Sequence, residues 1–271
     1  MNYKNITSII VLLNLFLLVE GDAQTTSNNE ANLSNDSLSV FNINRQVNNE
    51  AFKVGESLKF VIRYGPIQAG YAYLEILQVR DVNGRRCFEV TSRAESNNFF
   101  STFYKVRDKT VSLMDSVGLY SWHFSKKIRE GKYRADIEVI FDQPNYRVIT
   151  KKDTIKTPAY VQDPLSSLYF LRTQNIEVGK SYFIDHFSGK KLYPLTVRVL
   201  RKETIRVRAG KFTCLVVEPV LKDAGVFNSK GDVTVWLTDD RYRIPVLMKS
   251  KILVGSIIAE LIEYKGVLPS G

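Results

Sequence analysis

The sequence predicts an all-β protein: a strongly curved antiparallel sheet, or a flattened barrel or sandwich, with one or two short helices. Two observations carry this. Apolar and polar residues alternate with period two through most of residues 51–271, as half-buried strands require. The strand-like runs, about a dozen, follow one another across short turns, with little room for the crossover helices of a parallel sheet.

The chain opens MNYKNITSIIVLLNLFLLVEGDAQ, where Lys4 precedes an apolar run from Ile6 to Val19 broken by Thr7, Ser8 and Asn14. The small residues of GDA suit signal-peptidase cleavage after Ala23, and the run is short for a bilayer span of ~20 residues. A retained signal anchor is the alternative. No cysteine follows the cleavage point, so a lipoprotein is not expected, and no later segment reaches spanning length. The expectation is an exported protein, periplasmic or outer-envelope associated, without a transmembrane segment after cleavage. Residues 24–50, rich in Asn, Ser and Thr, read as a disordered tether. Residues 51–271 read as a single β domain.

Within that domain SLKFVIRYG places Leu58, Phe60, Ile62 and Tyr64 on one face and Lys59 and Arg63 on the other. GPIQAG turns the chain into YAYLEILQV. Asn83 and Gly84 form a two-residue hairpin signal leading into RRCFEV. The same grammar returns in LTVRVLRKETIRV, RAG and KFTCLVVEPVL, so the domain divides into two echoing halves. Two stretches are helical candidates. SNNFFSTFYKV (96–106) spaces Phe99, Phe100, Phe103 and Val106 helically. DPLSSLYFLRTQN (163–175) has Asp163 as N-cap and Pro164 at the first helical position, and would plug one end of the curved sheet. In VWLTDDRYRIPV (235–246), Asp239 and Asp240 suit a turn, because Asp side chains bond to backbone N–H groups ahead of them. Pro245 cannot donate to a ladder, so the returning strand is expected to be an edge or bulged one.

Catalytic constellations are missing. His123 and His186 are the only histidines, and Asp185 and His186, neighbours on a strand, point to opposite faces. There is no GxSxG elbow, HExxH, phosphate-binding glycine loop or CxxC, so no catalytic residue, metal ligand or cofactor is expected. Glycosidase chemistry needs two carboxylates across a sugar, and no pair stands out. Cys87 and Cys214 are either a disulfide or two buried thiols. A bridge would close 127 positions (214 minus 87) and stabilise by about 4–5 kcal/mol in the chain-entropy model. Trp236, Tyr64, Tyr71, Tyr73 and Tyr169 are the candidate ligand-binding residues, since an apolar face with a polar tip suits an amphiphile or glycan. Ordinary strand packing is the alternative.

The formal net charge is +10, and loss of Lys4, Glu20 and Asp22 with the signal makes it +11. Export removes nucleic acid as a partner and leaves lipid, glycan or another anionic envelope component. Scattered solvent-facing Lys and Arg account for the charge equally well. The oligomeric state is not encoded in any feature of the sequence.

Taken in order, GESLKFVIRYGPIQAGYAYLEI (55–76), QDPLSSLYFLR (162–172), GKFTCLVVEPVL (210–221), VWLTDDRYRIPV (235–246) and VGSIIAELIEY (254–264) resemble the bacterial family catalogued as domain of unknown function 3108. The resemblance implies an exported, mostly β protein of Gram-negative, Bacteroidetes-like bacteria and carries no catalytic residues. The functional expectation is a non-enzymatic envelope module binding an amphiphile, glycan or envelope partner in a β-sheet cavity. The alternatives are a carboxylate-dependent hydrolase of envelope polymers and a purely structural or assembly protein.

Overall fold

The computed structural model describes residues 43–188, 191–221, 233–251 and 255–267. The expected signal peptide and residues 24–42 of the expected tether lie outside them. No helix among the described residues is long and apolar enough to cross a membrane.

Fourteen strands among these residues form one antiparallel sheet, as the period-two pattern requires. The first half is a meander of β1 (Ser57–Tyr64), β2 (Ile67–Val82), β3 (Arg85–Ser96), β4 (Arg107–Asp115), β5 (Ser121–Glu130), β6 (Tyr133–Asp142), β7 (Arg147–Thr150) and β8 (Thr154–Lys156). One helical turn, α1 (Asn98–Ser101), joins β3 to β4, and a nine-residue helix, α2 (Pro164–Arg172), leads to the second half. That half comprises β9 (Ser181–Ser188), β10 (Lys191–Val207), β11 (Gly210–Leu221), β12 (Val233–Thr238), β13 (Pro245–Lys251) and β14 (Ser256–Lys265). β14 pairs with β1, so first and last strands meet mid-sheet and the edges are β8 and β9. The edges do not pair with each other. Phe141 and Val148 reach Phe187 and Val161 across them, and Gln162 exchanges backbone hydrogen bonds of 2.9 Å with Asp185 and Phe187.

The β2–β3 and β10–β11 hairpins share their irregularities. The register slips between Ile76 and Gln78 in one and between Val199 and Arg201 in the other. Three pairs beyond each slip stands a cysteine, Cys87 opposite Arg80 and Cys214 opposite Glu203. The Asn83–Gly84 turn has φ of 53° and 77° at its two residues, as a tight hairpin matching strand twist demands.

α2 is the plug. Asp163 caps it, its carboxylate accepting from the N–H groups of Leu165 (2.8 Å) and Ser166 (3.0 Å), while Ser166 Oγ accepts from the Asp163 N–H in return. Every residue of α2 except Phe170 is buried, and Leu165, Leu168, Tyr169 and Leu171 join the main core with Phe60, Leu74 and Ile257. The remaining cover at that end is residues 43–53. Arg45 lies over the rings of Tyr120, Tyr160 and Phe170, with centroid distances of 5.4, 4.5 and 4.8 Å, and donates to the Gly118 (2.7 Å) and Leu119 (3.0 Å) carbonyls. Residues 43–50 therefore pack on the body, where composition predicts a tether. A single arginine finding three rings and two carbonyls outweighs the polar residues around it.

Two open readings are narrowed. Within residues 96–106 the helix is a single turn: Asn97 caps α1 and the backbone leaves it at Thr102, with Phe99 and Phe103 facing outward. Cys87 and Cys214 are buried free thiols. They lie on β3 and β11 with five strands between them in the sheet, so the bridge cannot form. In VWLTDDRYRIPV the chain passes from β12 to β13. Asp240 Oδ1 accepts from the N–H groups of Tyr242 (2.9 Å) and Arg243 (3.1 Å), and a bulge sets Pro245 opposite Leu237 on an internal strand. Asp239 is paired with Lys202 rather than with the neighbouring arginines.

Candidate functional site

The two ends of the rolled sheet differ in chemistry. At the closed end, Arg172 and Glu56 form a bidentate pair at 2.7 Å with neither side chain exposed, and Tyr169 Oη donates to the same carboxylate at 2.9 Å. Beneath it Asp163 accepts from the Ser112 (2.5 Å) and Ser121 (2.6 Å) hydroxyls, yet burial still holds its carboxyl above the ordinary value. Ser167 Oγ lies 2.9 Å from His186 Nδ1, and burial pushes this imidazole down to about 3, leaving it neutral. Ser167, His186 and Asp163 are not a triad, since Asp163 is committed to the serines and the helix cap. These groups hold the plug in place.

The end opposite α2, termed the open end because α2 does not cover it, carries the turns β1–β2, β3–β4 and β5–β6 among the described residues. Towards it the buried face of β4 changes from Met114 through Ser112 and Thr110 to Asp108. On β5 the buried face reads Phe124, Lys126, Ile128 and Glu130. Asp108 and Glu130 meet across this strand pair. The Asp108 carboxylate accepts from the Arg129 N–H at 2.7 Å, and its Oδ2 has no donor unless Glu130 carries a proton. Burial and the neighbouring Asp108 push the Glu130 carboxyl up to about 7, against the pull of Lys126 and a hydrogen bond from Tyr104. A carboxyl group in a dry site beside a like charge keeps its proton to higher pH. This pair was legible in one respect: Glu130 falls in phase with Phe124 and Ile128, where a surface residue would be out of phase.

The sequence-derived aromatic residues do not converge. Tyr71 and Tyr73 stand side by side on β2, but their rings are covered by the protein's own cations, Lys59 over both and Arg93 over Tyr73. Tyr64 packs against the core at the open end, and Tyr169 is sealed inside the plug. Trp236 is buried on β12, its indole N–H donating to Glu203. A cleft of about 520 Å³ opens at the closed end, between Asn49, Glu50, Phe52 and Lys53 and the turn residues Arg241 and Tyr242. No group of three or more metal-ligating side chains occurs among the described residues.

Fold and site together define a rolled antiparallel β protein, plugged at one end by its own helix and polar at the other. The chain belongs to the family described as "Protein of unknown function (DUF3108)", which it matches over residues 59–262. Among solved structures it is similar to a beta-barrel-like protein of domain of unknown function DUF1849 from Brucella abortus. The TM-score is 0.57 at 13% identity, covering 80% of this chain and 100% of that one. A DUF1089 family protein from Pseudomonas aeruginosa gives a TM-score of 0.35 at 8% identity, covering 78% and 95%. No curated protein matches the sequence.

Proposed function

We propose that the protein is an exported, non-enzymatic module of the bacterial cell envelope that binds an amphiphile or glycan at the open end of its rolled sheet. The observation that carries this reading is the Asp108–Glu130 pair with Lys126, a buried set of ionisable groups at the end α2 leaves free. A hydroxyl- or amine-bearing ligand would supply the donor that Asp108 Oδ2 lacks. At the closed end the buried charges of Arg172, Glu56 and Asp163 are satisfied by one another or by the serine cluster. Native mass spectrometry of the protein purified from its own envelope tests the reading. A co-purifying lipid or glycan, lost in D108N/E130Q, is expected, and a bare polypeptide mass would count against it.

A second reading, hydrolysis of envelope polymers through carboxylates, draws support from the raised Glu130 carboxyl. Glycosidases hold their carboxyl groups ~5–10 Å apart, whereas these two are immediate neighbours on adjacent strands, so any hydrolysis would follow a different arrangement. Turnover of peptidoglycan or polysaccharide by the wild type and not by D108N would favour it.

A further inference from the structure

The rim of the open end carries two highly exposed aromatic side chains. Phe103 is 76% and Phe99 67% exposed, set edge-to-face with centroids 5.6 Å apart. They are held out rigidly. Asn97 caps the turn through the Phe100 N–H (2.9 Å), and Phe100 faces back onto the core. Asn97 also ties the turn to β1–β2, its N–H donating to the Ala69 carbonyl (3.0 Å) and its Nδ2 to the Gln68 carbonyl (2.8 Å). On the other side the Gly131 N–H donates to the Lys105 carbonyl at 2.9 Å, bringing the β5–β6 turn alongside. Ile67 (49%) and Tyr133 (54%) are the exposed apolar residues of those two neighbouring turns.

The charge around this knob has one sign. From Asn97 to Arg107 there is no acidic residue, and the β5–β6 turn adds Lys132 and Arg134. Lys105, Lys132 and Arg134 are exposed and make no ion pair among the described residues. The acidic neighbours are accounted for: Glu130 is buried, Asp136 pairs with Arg129 at 2.6 Å, and Glu95 is shared between Tyr73 and Arg107. Rigid phenyl groups beside three cations that form no ion pair match the layering of an anionic bilayer, with acyl boundary beneath and phosphate outside.

We infer that the open-end rim docks on an anionic lipid surface, with Phe99 and Phe103 entering the interface and Lys105, Lys132 and Arg134 meeting phosphate groups. This goes beyond the binding reading and stands without it, since a protein with no co-purifying ligand would still bind vesicles. It would turn the Asp108–Glu130 end towards the membrane.

The test is flotation of the protein with vesicles of equal parts phosphatidylglycerol and phosphatidylcholine, against vesicles of phosphatidylcholine alone. Binding to the first and not the second is expected, falling as salt screens the phosphates. F99S/F103S should weaken it roughly tenfold or more, and K105Q and K132Q roughly fivefold each. Thermal unfolding of these surface variants checks that the fold is kept. F103W supplies an independent readout, a blue-shifted emission when anionic vesicles are added. Equal binding to both vesicles, no change in F99S/F103S, or no shift in F103W would overturn the inference. So would a dimer in solution that F103S abolishes, since the patch would then belong to a second copy.

Discussion

Arg172, on the last turn of α2, and Glu56, just before β1, bind each other through two hydrogen bonds of 2.7 Å with both side chains fully buried. Burial alone would disfavour the charge on Arg172, and the contact with Glu56 keeps its guanidinium firmly protonated. Arg172 also donates to the Ala51 (3.3 Å) and Tyr242 (3.1 Å) carbonyls, so one side chain ties the plug to the N-terminal segment and to the β12–β13 turn.

Removing one partner leaves a charge in a dry site. R172M and E56Q should each lose about 3–5 kcal/mol in chemical denaturation, whereas E56L/R172M should recover part of that loss. A double variant as unstable as the sum of the singles would count against direct pairing.

The two buried titrating groups bend stability in opposite directions. The Glu130 carboxyl is raised from 4.5 to about 7, so its contribution is complete below 4.5 and disappears as pH rises through 7. The His186 imidazole is lowered from 6.5 to about 3, so its contribution is complete above 6.5 and is lost as pH falls towards 3. Melting temperature against pH should lose its neutral-side slope in E130Q and keep its acid-side slope. Carbon-13 NMR should place the Glu130 midpoint near 7.

Cys87 and Cys214 are both pushed up to about 12, chiefly by burial. Neither should react with iodoacetamide in the folded protein, and both should react in denaturant. A reducing agent should leave the melting temperature unchanged. A mass two protons lighter would instead reveal a disulfide.

Gly70 sits where β2 meets the end of β3, and a Cβ there would stand 2.1 Å from the Glu95 carbonyl oxygen. G70A should therefore break the Gly70–Ser96 pairing and cost several kcal/mol, on the scale of overpacking a core. G84A, which meets nothing within 4 Å but has φ of 77°, should cost about 1 kcal/mol.

The fold was legible because its rules are local. The period-two pattern gave the strands, the Asn83–Gly84 dipeptide fixed a hairpin, and Asp163 with Pro164 marked where the plug begins. What escaped depends on partners distant in sequence. The aromatic spacing of residues 96–106 fits a helix and a protruding knob equally, and only a core that takes Phe100 and leaves Phe99 out distinguishes them. Arg45 looked like tether because the rings it covers lie 75 to 125 residues away. Asp108 is one carboxylate among many until β5 brings Glu130 beside it.

The pairing of β1 with β14 has a consequence for how the chain is made. β1 acquires one of its two neighbours only after residues 256–265 have been made. Until then the β1–β8 meander has an unsatisfied ladder along Ser57–Tyr64, open to pairing with other chains. The remaining ladders among the described strands join consecutive strands, so this one closes the longest loop and carries the largest closure entropy. A chain cut short before Ser256 would carry raw edges on both β1 and β13, and aggregation would be its fate.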